Sequence, residues 1–386
     1  MISSNNIKRA NVAFFLAFLF FSAIFCGYTK VNNLFHISLL LFTISLIFIP
    51  ESRKTFILDR ERKKGFIYVA LFLVYFSFSN LWGSKPSNIE SSLTHSFYLF
   101  LFLGMMTTML DSEKRYYVLL SSIAGILILS LYCLIFEYHS IVVERIVSNH
   151  HPGPENVIDL SGYAAIGVIL SFMALKEKGN RAILLVVPVF FGVIAISQSR
   201  GPIIALALSL LITLPFRKIN KKHFLYAAVT AGGLSALLLD SVMGEQIIQR
   251  FSELYTQSFL RLSIWEHTLQ LVAEAPFFGH GFDYHLEFTN YSGEHIRTTH
   301  SLYLGTLLKG GIVGLALLLL VLGHGLKNLI GSAREGNQFE LALFIFMLIF
   351  YLSQGIFAIG NPTEYWYLFW FPLAFSLAGK RINKVA

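Results

Sequence analysis

Charge is scarce in this sequence. Asp, Glu, Lys and Arg make up 13% of its 386 residues, where a water-soluble domain carries roughly a quarter, and that deficit excludes water as the chain's main solvent. Cysteine is scarcer still. Cys26 and Cys133 both sit inside apolar runs, which excludes a disulfide framework and a cysteine-held metal and leaves two small packing residues. No small-x-small cleavage pattern precedes Tyr28, although Lys8 and Arg9 lead into an apolar stretch, so this segment reads as an uncleaved anchor and not a signal peptide. No internal repeat is visible, and the two halves differ in loop length, which weighs against a transporter built from two similar bundles. No nucleic-acid module is present.

What the chain does have is apolar length. Hydrophobic residues make up 55% and the mean hydropathy is +0.63. Each crossing of a hydrocarbon core about 30 Å thick takes about 20 apolar residues, and twelve runs of roughly this kind follow one another. They extend from Asn11 to Tyr28, Leu34 to Ile49, Phe66 to Trp82, Thr94 to Leu110, Tyr117 to Phe136, Leu160 to Leu175, Ala182 to Ile196, Pro202 to Phe216, Phe224 to Leu239, Ser301 to Leu322, Leu341 to Ile359 and Tyr365 to Ala378. They lack the period-two alternation of barrel strands, so helices that satisfy their own backbone groups in lipid are expected. The fold class is all-α, a polytopic membrane protein of about twelve transmembrane helices.

Twelve crossings divide the loops between two sides, and the basic residues divide unequally. One side receives 22 of the 30 Lys and Arg residues, among them Arg53, Lys54, Lys114, Arg115, Lys176, Arg217, Lys218 and Lys380. By the positive-inside rule this side, with both termini, is cytoplasmic. The net charge of +8 then reads as a topology signal set against anionic lipid. The other eight bases are Lys30, Lys85, Arg145, Arg200, Arg250, Arg261, Arg297 and Lys309, the last inside the tenth helix. Arginines kept on the far side against this bias need a reason.

The far side also holds the two long loops, one of about 23 residues between helices five and six and one of about 60 from Asp240 to His300. The chain accordingly divides into helices one to nine at 1–239, the large loop at 240–300 and helices ten to twelve at 301–386. Within the large loop, Gly244 to Tyr255 reads as a short helix. Ser258 to Glu274 reads as an amphipathic one with Leu262, Trp265, Leu269 and Val272 at helical spacing. Pro276 stops it, and the Phe277-Phe278-Gly279-His280-Gly281 turn offers two phenylalanines to the membrane surface.

Four residues carry the candidate chemistry. Arg200 lies in the short Ser197-Gln198-Ser199-Arg200-Gly201-Pro202 connection, too short to leave the membrane boundary, where a guanidinium favours an anionic partner or snorkels to lipid phosphate. Arg261 starts the amphipathic helix one turn before Trp265; it could bind an anion or pair with Glu266 or Glu253. His300 ends the large loop, and an imidazole titrating near neutrality suits a general base, or merely a helix cap. Arg297, one turn earlier, could help bind an anion or pair with Glu294. His150, His151, His280, His285 and His295 invite a metal, but neither His-x-x-x-His nor a carboxylate at ligand spacing accompanies them, so no metal site is assigned. Lys309 precedes Gly310-Gly311, where the helix is open to a break, and faces a cavity or bonds to freed carbonyls.

Three of these stretches, in order, resemble one family. Ser199-Arg200-Gly201 comes first. Arg261 to Trp265 with Pro276-Phe277-Phe278-Gly279-His280-Gly281 comes second. His300-Ser301-Leu302-Tyr303 leading into Gly310-Gly311-Ile312-Val313-Gly314 completes a pattern similar to the O-antigen ligase and polymerase superfamily from about Ala182 to Leu322. The loop from Asn149 to Asn156 departs from that family's Asn-rich pattern. The resemblance implies a GT-C-type membrane glycosyltransferase of the bacterial inner membrane, needing no cofactor or metal. It would take a polysaccharide from undecaprenyl diphosphate on the periplasmic side. For the ligase branch the acceptor would be a sugar hydroxyl of lipid A-core. Arg200 and Arg261 would hold the diphosphate and His300 would activate the acceptor. A polymerase using the same donor is the alternative. A lipid-linked glycan flippase is the alternative of another class, for which Lys309 is the one clear midplane charge.

Overall fold

In the computed structural model, residues 4–56, 60–145, 147, 153–154, 156–213, 254–289, 293, 295–355 and 358–379 are described. The helices are α1 Ser4–Ile24, α2 Thr29–Phe48, α3 Pro50–Phe56, α4 Arg60–Phe78, α5 Ile89–Leu110, α6 Arg115–Phe136, α7 Val157–Lys178, α8 Val187–Ser197, α9 Arg200–Thr213, α10 Leu254–Glu274, α11 Leu302–Arg334, α12 Gln338–Phe350 and α13 Phe371–Leu377. A two-residue ribbon, β1 Phe288–Thr289 antiparallel to β2 His295–Ile296, lies in the large loop. The chain is an all-α polytopic membrane protein. Among the described residues seven helices are long and apolar enough to cross a bilayer, and Arg181–Ser197, Arg200–Thr213, Gln338–Phe350 and Trp366–Leu377 are shorter apolar ones. The expected span Phe224 to Leu239, and most of the expected helix Gly244 to Tyr255, lie outside the described residues.

Lipid tails are as apolar as leucine, so these helices associate through close packing. The centre of the bundle is α7, where Ser161, Gly162, Ala164, Ala165, Gly167 and Ser171 are all buried. A Cβ at Gly162 would come within 2.8 Å of Leu368, and one at Gly167 within 2.9 Å of Phe190. A second contact region is aromatic: the Trp366 ring lies 4.8 Å from Phe102 and 5.1 Å from Phe35.

Ion pairs tie one end of the bundle. Arg115, at the start of α6, pairs with Glu340 at the start of α12 and with Glu177 at the end of α7 at 3.5 Å. Arg62 of α4 pairs with Asp111 after α5. The starts of α9 and α11 and the end of α12 gather at the opposite end, which is where the candidate residues stand.

One expectation needs correcting. The eleventh apolar run does not stay helical to Ile359, because α12 stops at Phe350. Beyond it the chain bonds to distant partners: the Tyr351 carbonyl accepts from Leu302 N at 3.1 Å, and the Gln354 amide reaches Asp159. On α10, Leu262 and Leu269 are 57% and 52% exposed. The packed side runs through Ile264 and Thr268, and Ile264 forms a small core with Leu286 and Leu308. Leu262, Leu269 and the exposed Phe277 and Phe278 form an apolar surface away from the protein.

The tenth span, α11, breaks at Gly311, which has φ 60° and ψ −163°, a conformation open essentially to glycine. The Pro276–Gly281 turn fills the break. His280 N and Gly281 N donate to the carbonyls of Leu308 and Lys309 at 3.0 and 2.9 Å, and Ile312 N and Val313 N donate to Pro276 O and Phe277 O at 2.8 and 3.2 Å. Backbone groups freed by the break are thus paired, as burial in a membrane requires. The large loop is thereby welded to α11.

Candidate functional site

The Ser197-Gln198-Ser199 turn between α8 and α9 is buried and saturated with local bonds. Ser197 Oγ donates to Ile194 O at 2.8 Å and accepts from Ser199 N at 3.3 Å. Gln198 adopts φ 49°, which reverses the chain at once and sets Arg200 at the first position of α9, partly buried.

Arg261 projects from α10, whose position is fixed by the Ile264 core and by one further bond. The Trp265 indole Nε1 donates to Thr299 O at 3.1 Å, so the helix carrying Arg261 is tied to the residue before His300. Burial, and then the charge of Arg200, push the Arg261 pKa below its ordinary value. The structure therefore brings Arg200 and Arg261 into one electrostatic neighbourhood. Partly desolvated like charges repel one another, and an anion near both would be attracted by both.

His300 is held by its backbone. It has φ 48°, a left-handed conformation that costs a non-glycine residue roughly 1–2 kcal/mol, and such strain concentrates at functional sites. The neighbours enforce it: Thr299 Oγ1 donates to Ser301 O at 2.7 Å, and Gly355 lies so close that a Cβ there would stand 2.5 Å from His300 N. The Ser353–Gly355 segment reaches the Arg200 turn too, because a Cβ at Gly201 would meet Ser353 Oγ at 3.2 Å. One short stretch after α12 thus spans from Gly201 to His300.

Arg297 is exposed on the ribbon side of His300 and lines a cavity with Lys309 and His285. Lys309 donates to Phe282 O at 2.5 Å and Tyr284 O at 2.6 Å, so it bonds loop carbonyls and also lines the cavity. The remaining histidines separate. His280 Nε2 bonds to Leu271 O at 2.8 Å and its ring stacks on Tyr284 at 4.4 Å, His295 Nδ1 bonds to Thr289 Oγ1 at 3.1 Å, and His150 and His151 lie outside the described residues.

Sequence reasoning missed Arg145, Asp159 and the Ser353–Gly355 segment. Arg145 Nη1 donates to Ser197 O at 3.4 Å, beside the Arg200 turn. The charge bias already marked Arg145 as a far-side arginine, so the signal was there. Asp159 and Gln354 carry no local signal, since their pairing bridges α7 and the segment after α12.

The fold and these contacts define a polytopic α-helical membrane protein with arginines and a histidine assembled at one end of its bundle. Residues 183–319 match the family model described as O-antigen ligase. A protein named O-antigen ligase from Pseudomonas aeruginosa is 30% identical over 189 residues, covering 47% of this chain and 44% of that protein. The match spans less than half of that relative's length.

Proposed function

We propose that the protein is an inverting, metal-independent glycosyltransferase that moves O-antigen polysaccharide from undecaprenyl diphosphate to a sugar hydroxyl of lipid A-core at the periplasmic face of the inner membrane. The observation that carries this reading is that Arg261 feels the charge of Arg200 from a helix whose Trp265 Nε1 is bonded to Thr299 O, the residue before His300. In this reading the acceptor O–H gives its proton to His300 while its oxygen bonds to the anomeric carbon from the face opposite the diphosphate. The anomeric C–O bond breaks, and its electron pair leaves on undecaprenyl diphosphate. Fixed guanidiniums at a water-poor boundary stabilise that growing charge more than they would in water. In the same reading Arg297 helps hold a substrate anion. The exposed Leu262, Leu269, Phe277 and Phe278 give a polyprenyl tail an apolar surface to lie along.

Deletion of the gene tests this. Accumulation of complete lipid-linked polymer, with unsubstituted core, is the expected result. Core bearing a single repeat unit would assign a polymerase instead, and loss of periplasmic donor would assign a flippase. Complementation with Arg200→Ala and His300→Ala is expected to fail, and full restoration by both would remove the mechanism.

A further inference from the structure

Behind His300 lies a cavity of ≈ 210 Å³, walled by Arg297, Thr298, Thr299, Lys309, His285 and Gly355 among others. Two of these residues, Thr299 and Gly355, also form the support of His300, whereas Arg200 and Arg261 do not line it. Its walls bring cationic side chains from two parts of the chain, Arg297 at the strand end and Lys309 in the first turns of α11, together with the His285 ring from the loop after Gly281. The Lys309 ammonium is fixed there by the carbonyls of Phe282 and Tyr284. Burial, and then the charge of Lys309 with smaller effects of Lys85 and Arg297 against an opposing Asp283, hold the His285 pKa below its ordinary value. Thr298 is exposed and adds a hydroxyl able to donate or accept.

Two cationic regions thus flank the base, and a transfer reaction has two substrates. We propose that this cavity takes an anionic group, a phosphate or a carboxylate, carried on the acceptor saccharide next to the hydroxyl that His300 deprotonates. Arg297 presents a planar fork to that group and Lys309 a point charge. The volume is below the about 300–1,000 Å³ of sites that enclose a whole drug-sized ligand, so it admits one charged unit of a longer glycan. This assignment rests on the glycosyl-transfer reading above, but its test does not need turnover.

The test is binding of the released lipid A-core oligosaccharide to the purified full-length protein in detergent, without donor. Three probes are compared: the untreated oligosaccharide, the same material dephosphorylated, and the same material with its carboxylates reduced. Removal of one class of anion is expected to weaken binding about tenfold, the equivalent of 1.4 kcal/mol, and identifies phosphate or carboxylate as the ligand group. Arg297→Gln, at an exposed position, is expected to cost a similar factor with the untreated probe and nothing with the weakened one. Equal binding of all three probes by the unaltered protein would overturn the proposal, as would an Arg297→Gln loss that is the same for every probe. Discriminating binding without any transfer in the presence of donor would leave this site standing and remove the ligase reading instead.

Discussion

Gln354 donates through Nε2 to Asp159 Oδ1 at 2.9 Å, and both side chains are nearly sealed, at 4% and 2% exposure. A buried carboxylate at the membrane boundary is costly unless partnered, and here the partner sits on the segment that touches both Gly201 and the His300 backbone. The pair therefore braces the site from behind. Asp159→Asn retains a carbonyl acceptor and is expected to keep most activity. Asp159→Leu strands the Gln354 amide, costs roughly 1–3 kcal/mol of stability and loosens His300. Thermal unfolding in detergent and transfer assays of the two variants check this, and equal behaviour of Asn and Leu would remove the brace.

Gly355→Ala puts a methyl 2.5 Å from His300 N. One of the two backbones must move. A displacement of about 1 Å at the base is worth roughly 10²-fold in rate, so kcat is expected to fall by that order with donor KM little changed. Gly323→Ala is the matched control, since a Cβ there meets nothing within 4 Å. Single-turnover rates for the two variants decide it.

The helix break gives a stability prediction. Gly311 has φ 60°, and a Cβ would approach Phe277 O to 2.3 Å. Gly311→Ala therefore combines backbone strain of roughly 1–3 kcal/mol with ejection of the Pro276–Gly281 turn from its four backbone bonds. Loss of folded protein from the membrane fraction is expected, and a stable, active variant would show that the weld is dispensable.

How far the sequence foretold this site depended on whether a residue's partner was local. Apolar runs announced most of the helices, and Gly310-Gly311 announced the break, because both signals sit within one stretch of chain. The end of α12 was hidden: the run from Tyr351 to Ile359 is apolar enough to continue a span, whereas Tyr351 and Gln354 bond to Leu302 N and Asp159, far away in sequence. The packed face of α10 was hidden for another reason. A helix between protein and a lipid-facing surface is apolar on both sides, so Leu262 and Leu269 have the same spacing signal as Ile264 and Leu271, and periodicity cannot rank them. Arg200 and Arg261 stood out as candidates because arginines held against the charge bias are conspicuous singly, and His300 because it ends the large loop at a helix entry. Their supports, Trp265 apart, did not.

The two arginines act as one charge-binding unit in this reading. Arg200→Gln and Arg261→Gln are each expected to lower kcat by about 10²–10³, the scale for losing one fixed donor to a developing anion. The double variant should lose less than the product of the two, because residues that act together are not additive. Arg261→Lys keeps charge but not the fork, and should fall between. Strict multiplicativity in this series would place the two side chains in separate roles.

His285 supplies the pH dependence. Its pKa is lowered by burial first and then by Lys309, with Asp283 opposing and Lys85 and Arg297 adding to the effect. A histidine with a depressed folded pKa binds fewer protons than it does unfolded. Its stabilising contribution is therefore complete above the unfolded value of about 6.5 and is lost as pH falls below that value toward the folded one. The unfolding midpoint should drop in that window for the unaltered protein and drop less for His285→Gln. An anion in the adjacent cavity offsets Lys309 and Arg297, raises the His285 pKa and so binds more tightly on acidification. Untreated core oligosaccharide should therefore shift the histidine ring resonances toward a higher titration midpoint, and the dephosphorylated or carboxyl-reduced probe that has lost its affinity should not.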